Sequence, residues 1–195
     1  IGGTVLIKNV TFGNFAAKTG NGAVVCATDA TLTIVKSTLG FKNGCNFAMN
    51  GGAVYAKNSK VTIQNNSISR NRSKDDSGKS GQYWFGGGAL FLEGGSATIE
   101  GNDFSFNRSW DYGGALHLDN LDIAKVNDNT FRSSEVFNHR LKSEGSRGGD
   151  GGAIYSRICK NNCISYNTII ESYTLGGNGS GIAIIGDRNS NVTLE

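Results

Sequence analysis

The chain has 195 residues, enough for one domain with a buried core. Its 29 glycines lack the three-residue period of collagen, and a net charge of +3 spread over both signs excludes a basic nucleic-acid arm and a disordered acidic tail. No run of 18 apolar residues exists, so no helical membrane span is expected.

The chain has no proline and 22 asparagines. Glycine and asparagine tolerate left-handed backbone better than other residues, so a chain this rich in both is expected to turn many tight corners. Along the chain, one anchor recurs as an aliphatic residue five positions before a second large apolar one. It reads Ile7 to Phe12, Ile34 to Leu39, Ile63 to Ile68, Ile99 to Phe104, Val126 to Phe131 and Ile164 to Ile169, with a seventh copy starting at Leu194. In four copies a turn asparagine lies between them: Asn66, Asn102, Asn129 and Asn167. Before the anchor, Val5, Leu32, Val61 and Ala97 alternate with outward residues, several of them threonine (Thr33, Thr62, Thr98, Thr193). Period two in threonine- and valine-rich segments is the signature of short strands.

A second anchor alternates with the first. It is Gly-Gly-Ala followed by two apolar residues, at Gly51, Gly87, Gly113 and Gly151, with weaker copies at Asn21 and Ser180. The alanines at 23, 53, 89, 115 and 153 are 30, 36, 26 and 38 residues apart. Short strands with no helix cannot return antiparallel within so few residues and still place like beside like. Coiling can, with about 4.8 Å between stacked coils. The fold class expected is all-β, a right-handed parallel β-helix (solenoid) of about six coils, spanning 1–195 as one domain. All length variation is expected at one corner, where long loops at 72–86 and 133–150 share one side. Asn66, Asn102, Asn129 and Asn167 should stack as a structural ladder. Strand sequence at 4–7 and at 192–194 suggests that the chain continues into further coils, as a segment of a longer solenoid or as a stacking subunit.

The alternation of G-G-A-[ILV] with an F-x-x-N-like segment (Phe104–Asn107, nearly Ile68–Asn71) resembles the repeats of the chlamydial polymorphic membrane protein family. Other secreted parallel β-helix proteins carry similar repeats. The resemblance implies an extracellular or cell-surface location and an adhesive or structural role; it does not imply an enzyme.

Candidate sites are few. Asp111 and Asp150 each precede a Gly-Gly-Ala, so they serve as corner caps or, in a carbohydrate-active alternative, as a catalytic pair. His117 holds the place taken by Tyr55, Phe91 and Tyr155 and reads as a ladder member. Tyr83, Trp84, Trp110, Tyr112 and Arg140 lie in the loops of one side. They either form a glycan- or protein-binding patch or fold back over the coils. Cys159 with Cys163 and Cys26 with Cys45 are candidate disulfides, with the connectivity open. Asn9, Asn65, Asn71, Asn107, Asn178 and Asn191 are sequons. With two histidines and C-x3-C spacing, no metal or cofactor is expected. The partners expected are further coils or copies of the chain, and glycans or cell-surface proteins, without nucleic acid.

Overall fold

The computed structural model describes residues 3–74, 85–137, 149–175 and 177–195. Among them every regular element is a β-strand, and every strand pairing is parallel. The strands form three sheets of 11, six and six strands. Within each repeat the chain visits the first, second and third sheet in order. Each strand pairs with its counterpart in the next repeat.

The register of the first sheet follows the aliphatic anchor. Ile7, Ile34, Ile63, Ile99, Val126, Ile164 and Leu194 lie opposite one another in turn. In the second sheet Phe12, Leu39, Ile68, Phe104, Phe131 and Ile169 do the same. Ile34, Ile63, Ile99 and Val126 are fully buried, as are Leu39, Ile68, Phe104 and Phe131, and together they form the core. Phe104 and Phe131 stack with their centroids 4.7 Å apart and their planes 6° from parallel. Strands Val54–Gln64 and Leu90–Glu100 cross the full width of the first sheet. In the following repeat the same path is split into Leu116–Asp119 and Ile123–Asn127 by a corner at Asn120, whose φ is 54°.

The asparagine ladder forms as expected. Asn66 Nδ2 donates to Asn102 Oδ1 at 2.9 Å, Asn102 to Asn129 at 2.9 Å, and Asn129 to Asn167 at 3.0 Å. Each amide also donates to a main-chain carbonyl of the preceding repeat, Ile34, Ile63, Ile99 and Val126 in turn. These bonds tie each asparagine to a strand of the preceding repeat, at about 1 kcal/mol net per bond. A second ladder was not anticipated. Asn46 donates to Asn71 Oδ1 at 2.9 Å and Asn71 to Asn107 Oδ1 at 3.1 Å, all three side chains fully buried. Ser134 occupies the equivalent place one repeat later, where Glu135 N bonds Asn107 O, and the amide chain stops there.

The Gly-Gly-Ala motif has a steric cause. The first glycine is left-handed, with φ 58° at Gly51 and 62° at Gly87. A β-carbon on the second would lie 2.0 to 2.2 Å from a carbonyl oxygen of the next repeat at Gly52, Gly88, Gly114 and Gly152. No side chain fits there. The alanine that follows is fully buried at 53, 89, 115 and 153.

Length variation is less confined than the repeats suggested. Residues 75–84 and 138–148 do fall at one junction, between third-sheet strands (Arg72–Ser73, Glu135–Val136) and the next first-sheet strands. But residues 40–46 form an excursion between the second and third sheets, and residues 186–190 another within the first. In the former, Phe41 and Gly44 form an antiparallel bridge. The Phe41 ring fills the space over Gly13 and Gly44, where a β-carbon would lie 2.4 Å from it. Two small residues therefore allow a loop at a corner that elsewhere takes two or three residues.

Candidate binding surface

Two outward rows carry the polar chemistry. On the first sheet, Lys57, Glu93, Asp119 and Arg157 lie in register on successive repeats. Lys57 Nζ is 2.8 Å from Glu93 Oε1, and the Tyr55 hydroxyl donates to Glu93 Oε2 at 2.7 Å. Arg157 grips Asp119 with both ends of its fork, at 2.9 and 2.6 Å. Burial works to raise the Glu93 carboxyl pKa, but the hydrogen bonds from Lys57 and Tyr55 outweigh it and leave the pKa below the ordinary value. Both carboxylates are held by cations within the row.

Beside that row runs a ladder of rings: Tyr55, Phe91, His117 and Tyr155, in register. His117 is fully buried, with ring centroids 4.2 Å from Phe91, 4.8 Å from Tyr155 and 6.0 Å from Tyr112. Among the described residues neither imidazole nitrogen has a hydrogen-bond partner. Burial, reinforced by the charge of Arg157, pushes its pKa down to about 3, so the ring is neutral at pH 7. It acts as a flat apolar member of the stack, as its place in the repeat implied. Gly86 packs against it so closely that a β-carbon there would lie 1.9 Å from Nδ1.

On the third sheet the outward row reads Ala16, Phe47, Arg72, Arg108, Glu135 and Tyr173. Arg108 pairs with Glu135, and the Tyr173 hydroxyl donates to the other oxygen of the same carboxylate. The guanidinium groups of Arg72 and Arg108 lie 4.8 and 5.1 Å from the centre of the Phe137 ring. On the adjoining corner Arg70 lies 4.7 Å over Phe106. Between these side chains runs an open groove of about 360 Å³, with Cys45 and Ser133 on its walls. Among the described residues its walls carry three guanidinium groups and the Glu135 carboxylate. Ser133 holds Glu171 one repeat further on.

The aromatic residues expected to form a patch divide between two surfaces. Trp110 stands edge-on to Phe137, 5.0 Å away, beside the third sheet. Tyr112 packs on Tyr155 at 4.6 Å, over the first sheet. Both fold back onto the repeats and are partly buried, one of the two outcomes weighed for them. Tyr83, Trp84 and Arg140 lie outside the described residues. Asp111 and Asp150 both act as corner caps. Asp111 Oδ2 accepts the Phe85 amide at 3.1 Å, and Asp150 Oδ1 accepts that of Asn178 at 2.6 Å.

All four cysteines are free thiols, so neither expected disulfide is formed. Burial raises the thiol pKa of Cys159 against the lowering effect of the hydrogen bond that Ser156 donates to it, whereas Cys163 lies in the outward row between Lys125 and Thr193. Cys26 lies on the first sheet opposite Tyr55, and Cys45 lies in the excursion leading to the third. Of the sequons, Asn9, Asn65, Asn178 and Asn191 are exposed. Asn71 and Asn107 are buried ladder members whose amides are fully engaged, so the fold leaves no room for a glycan on either.

No protein-family model matches the chain, and no curated protein and no solved structure matches it.

Proposed function

We propose that the three sheets are the faces of one right-handed parallel β-helix of about six coils, and that the chain is a non-enzymatic extracellular structural or adhesive module. The kinship proposed is with the surface repeats of the chlamydial polymorphic membrane proteins and similar secreted β-helices. One observation carries the reading: each sheet stacks its strands repeat on repeat, and the buried polar groups are largely used up in ladders between repeats. The acids support it too. Glu93 and Asp119 are held by cations, and Asp111 and Asp150 by main-chain amides, so none stands ready as a general acid or base.

Edge strands Thr4–Lys8 and Asn191–Leu194 each pair on one side only. Leu6 and Leu194 expose 64% and 60% of their surface there. The partners proposed are further coils or copies of the chain, with which the module would build a filament or a long adhesin stalk.

The test is the shape of the purified chain. Small-angle scattering and electron microscopy should show rods rising about 4.8 Å per coil that join end to end as concentration increases. A particle that is compact at every concentration would overturn the assembling module. Depolymerisation of a neutral or acidic polysaccharide would replace it with the enzymatic alternative.

A further inference from the structure

We propose that the seam between the repeats at 116–127 and 154–165 is a conformational opening point, where the residues from 154 onward part from the stack together while the earlier repeats stay closed.

The interior gives the first reason. In the earlier repeats the inward columns are apolar here: Leu92 lies opposite Leu118, and Ala97 opposite Ala124. One repeat later the same columns hold Ser156 and Asn162, both buried. Asn162 Nδ2 donates to Ser156 Oγ at 2.7 Å, and Ser156 Oγ donates to Cys159 Sγ at 3.4 Å. Asn162 Oδ1 is buried with no hydrogen-bond partner among the described residues. A buried carbonyl without a donor weakens the closed form against any state in which water reaches it.

The corner gives the second. Asp29, Asn58, Gly94 and Asn120 stand at this corner in the earlier repeats with φ from 48° to 66°, and all four are residue types that tolerate left-handed backbone. Ile158 stands there next, with φ 53°. No other described residue with left-handed backbone is β-branched. Two heavy atoms on its β-carbon crowd the main chain in that conformation, and opening relieves the crowding.

The exterior gives the third. Two ion pairs cross the seam, Asp119 with Arg157 and Asp122 with Lys160. The second is more than half exposed on both sides and holds little. By contrast Val54–Gln64 and Leu90–Glu100 pair from end to end over an apolar interior. In a stack where each repeat contacts its neighbours, the seam with the poorest interior parts first. Parting frees the edges of Leu116–Asp119 and Ile123–Asn127 for another strand and brings the buried Cys159 thiol into water.

That thiol reports the opening. The full chain is treated with iodoacetamide over a series of urea concentrations below the unfolding transition, labelled cysteines are identified by peptide mass mapping, and amide hydrogen exchange is followed in parallel. Cys159 should label at a rate that rises with urea about half as steeply as global unfolding does. Amides at 154–165 should exchange together, at least about tenfold faster than those of Val54–Gln64 and Leu90–Glu100. Asn162→Val places in that column the residue found at Val61 and Val192, and should slow labelling about tenfold. Ile158→Asn, which restores the residue type of Asn58 and Asn120, should slow it about fivefold. Labelling with the full urea dependence of global unfolding, or with none, would overturn the opening point. Rates unchanged in both variants, or exchange at 154–165 as slow as at 54–64, would overturn it as well.

Discussion

The two charged rows are built alike and end differently. On the first sheet Lys57, Glu93, Asp119 and Arg157 run plus, minus, minus, plus, and each carboxylate holds the cation beside it. On the third sheet Arg72 and Arg108 stand side by side, Arg108 paired with Glu135 and both guanidinium groups over the Phe137 ring. Parallel in-register stacking places equivalent side chains side by side whether or not they suit each other. A row that closes on itself is a staple.

The largest expected effect tests how dry the closed side is. His117 titrates near 6.5 when unfolded and near 3 when folded. Between those values the unfolded chain binds a proton that the folded chain refuses. Stability is therefore full above about pH 7 and falls as the pH drops through 6.5 toward 3. Urea unfolding at about pH 7.5 and about pH 4 should differ by about 3 kcal/mol from this residue alone. In His117→Phe, which continues the ring ladder, that slope should vanish. An unchanged slope would show that the imidazole reaches water.

A smaller effect separates the rows directly. Asp119→Ala strips Arg157 of both contacts on a face where the carboxylate is 12% and the guanidinium side chain 32% exposed. It should cost about 2 kcal/mol, between the values of surface and buried pairs. The smallest belongs to the open row. Arg72→Gln removes one of two adjacent like charges and should change stability by no more than about 0.5 kcal/mol in denaturant unfolding. If instead Arg72→Gln costs as much as Asp119→Ala, the third-sheet row is as structural as the first and the contrast dissolves.

Much of the first row's setting is readable in the sequence. Period two around Ile34, Ile63 and Ile99 gives the register, and four asparagines at one phase give the first ladder. The second ladder escapes because Asn46 lies seven residues beyond Leu39, whereas Asn71 and Asn107 lie three beyond Ile68 and Phe104. The excursion around Phe41 absorbs the difference. Asn71 and Asn107 look like sequons for the same reason: their burial depends on partners 25 to 36 residues away. The groove is hidden more deeply. Its strands are two residues long, Arg72–Ser73 and Arg108–Ser109, too short for any periodicity. Their opposition exists only once the repeat lengths between them are resolved. Sequence reasoning found the right corner for the aromatic residues but could not tell that Trp110 and Tyr112 turn to different sheets.

The asparagine ladders also carry a direction. In both, every Nδ2 donates to the asparagine of the following repeat and every Oδ1 faces back toward the preceding one. The amide dipoles therefore add within each ladder, and its acceptor end is closed inside the fold, where Ser37 N donates to Asn66 and Phe15 N to Asn46. One amide turned over would set donor against donor on one side and acceptor against acceptor on the other, so the rungs of a ladder keep their orientation together.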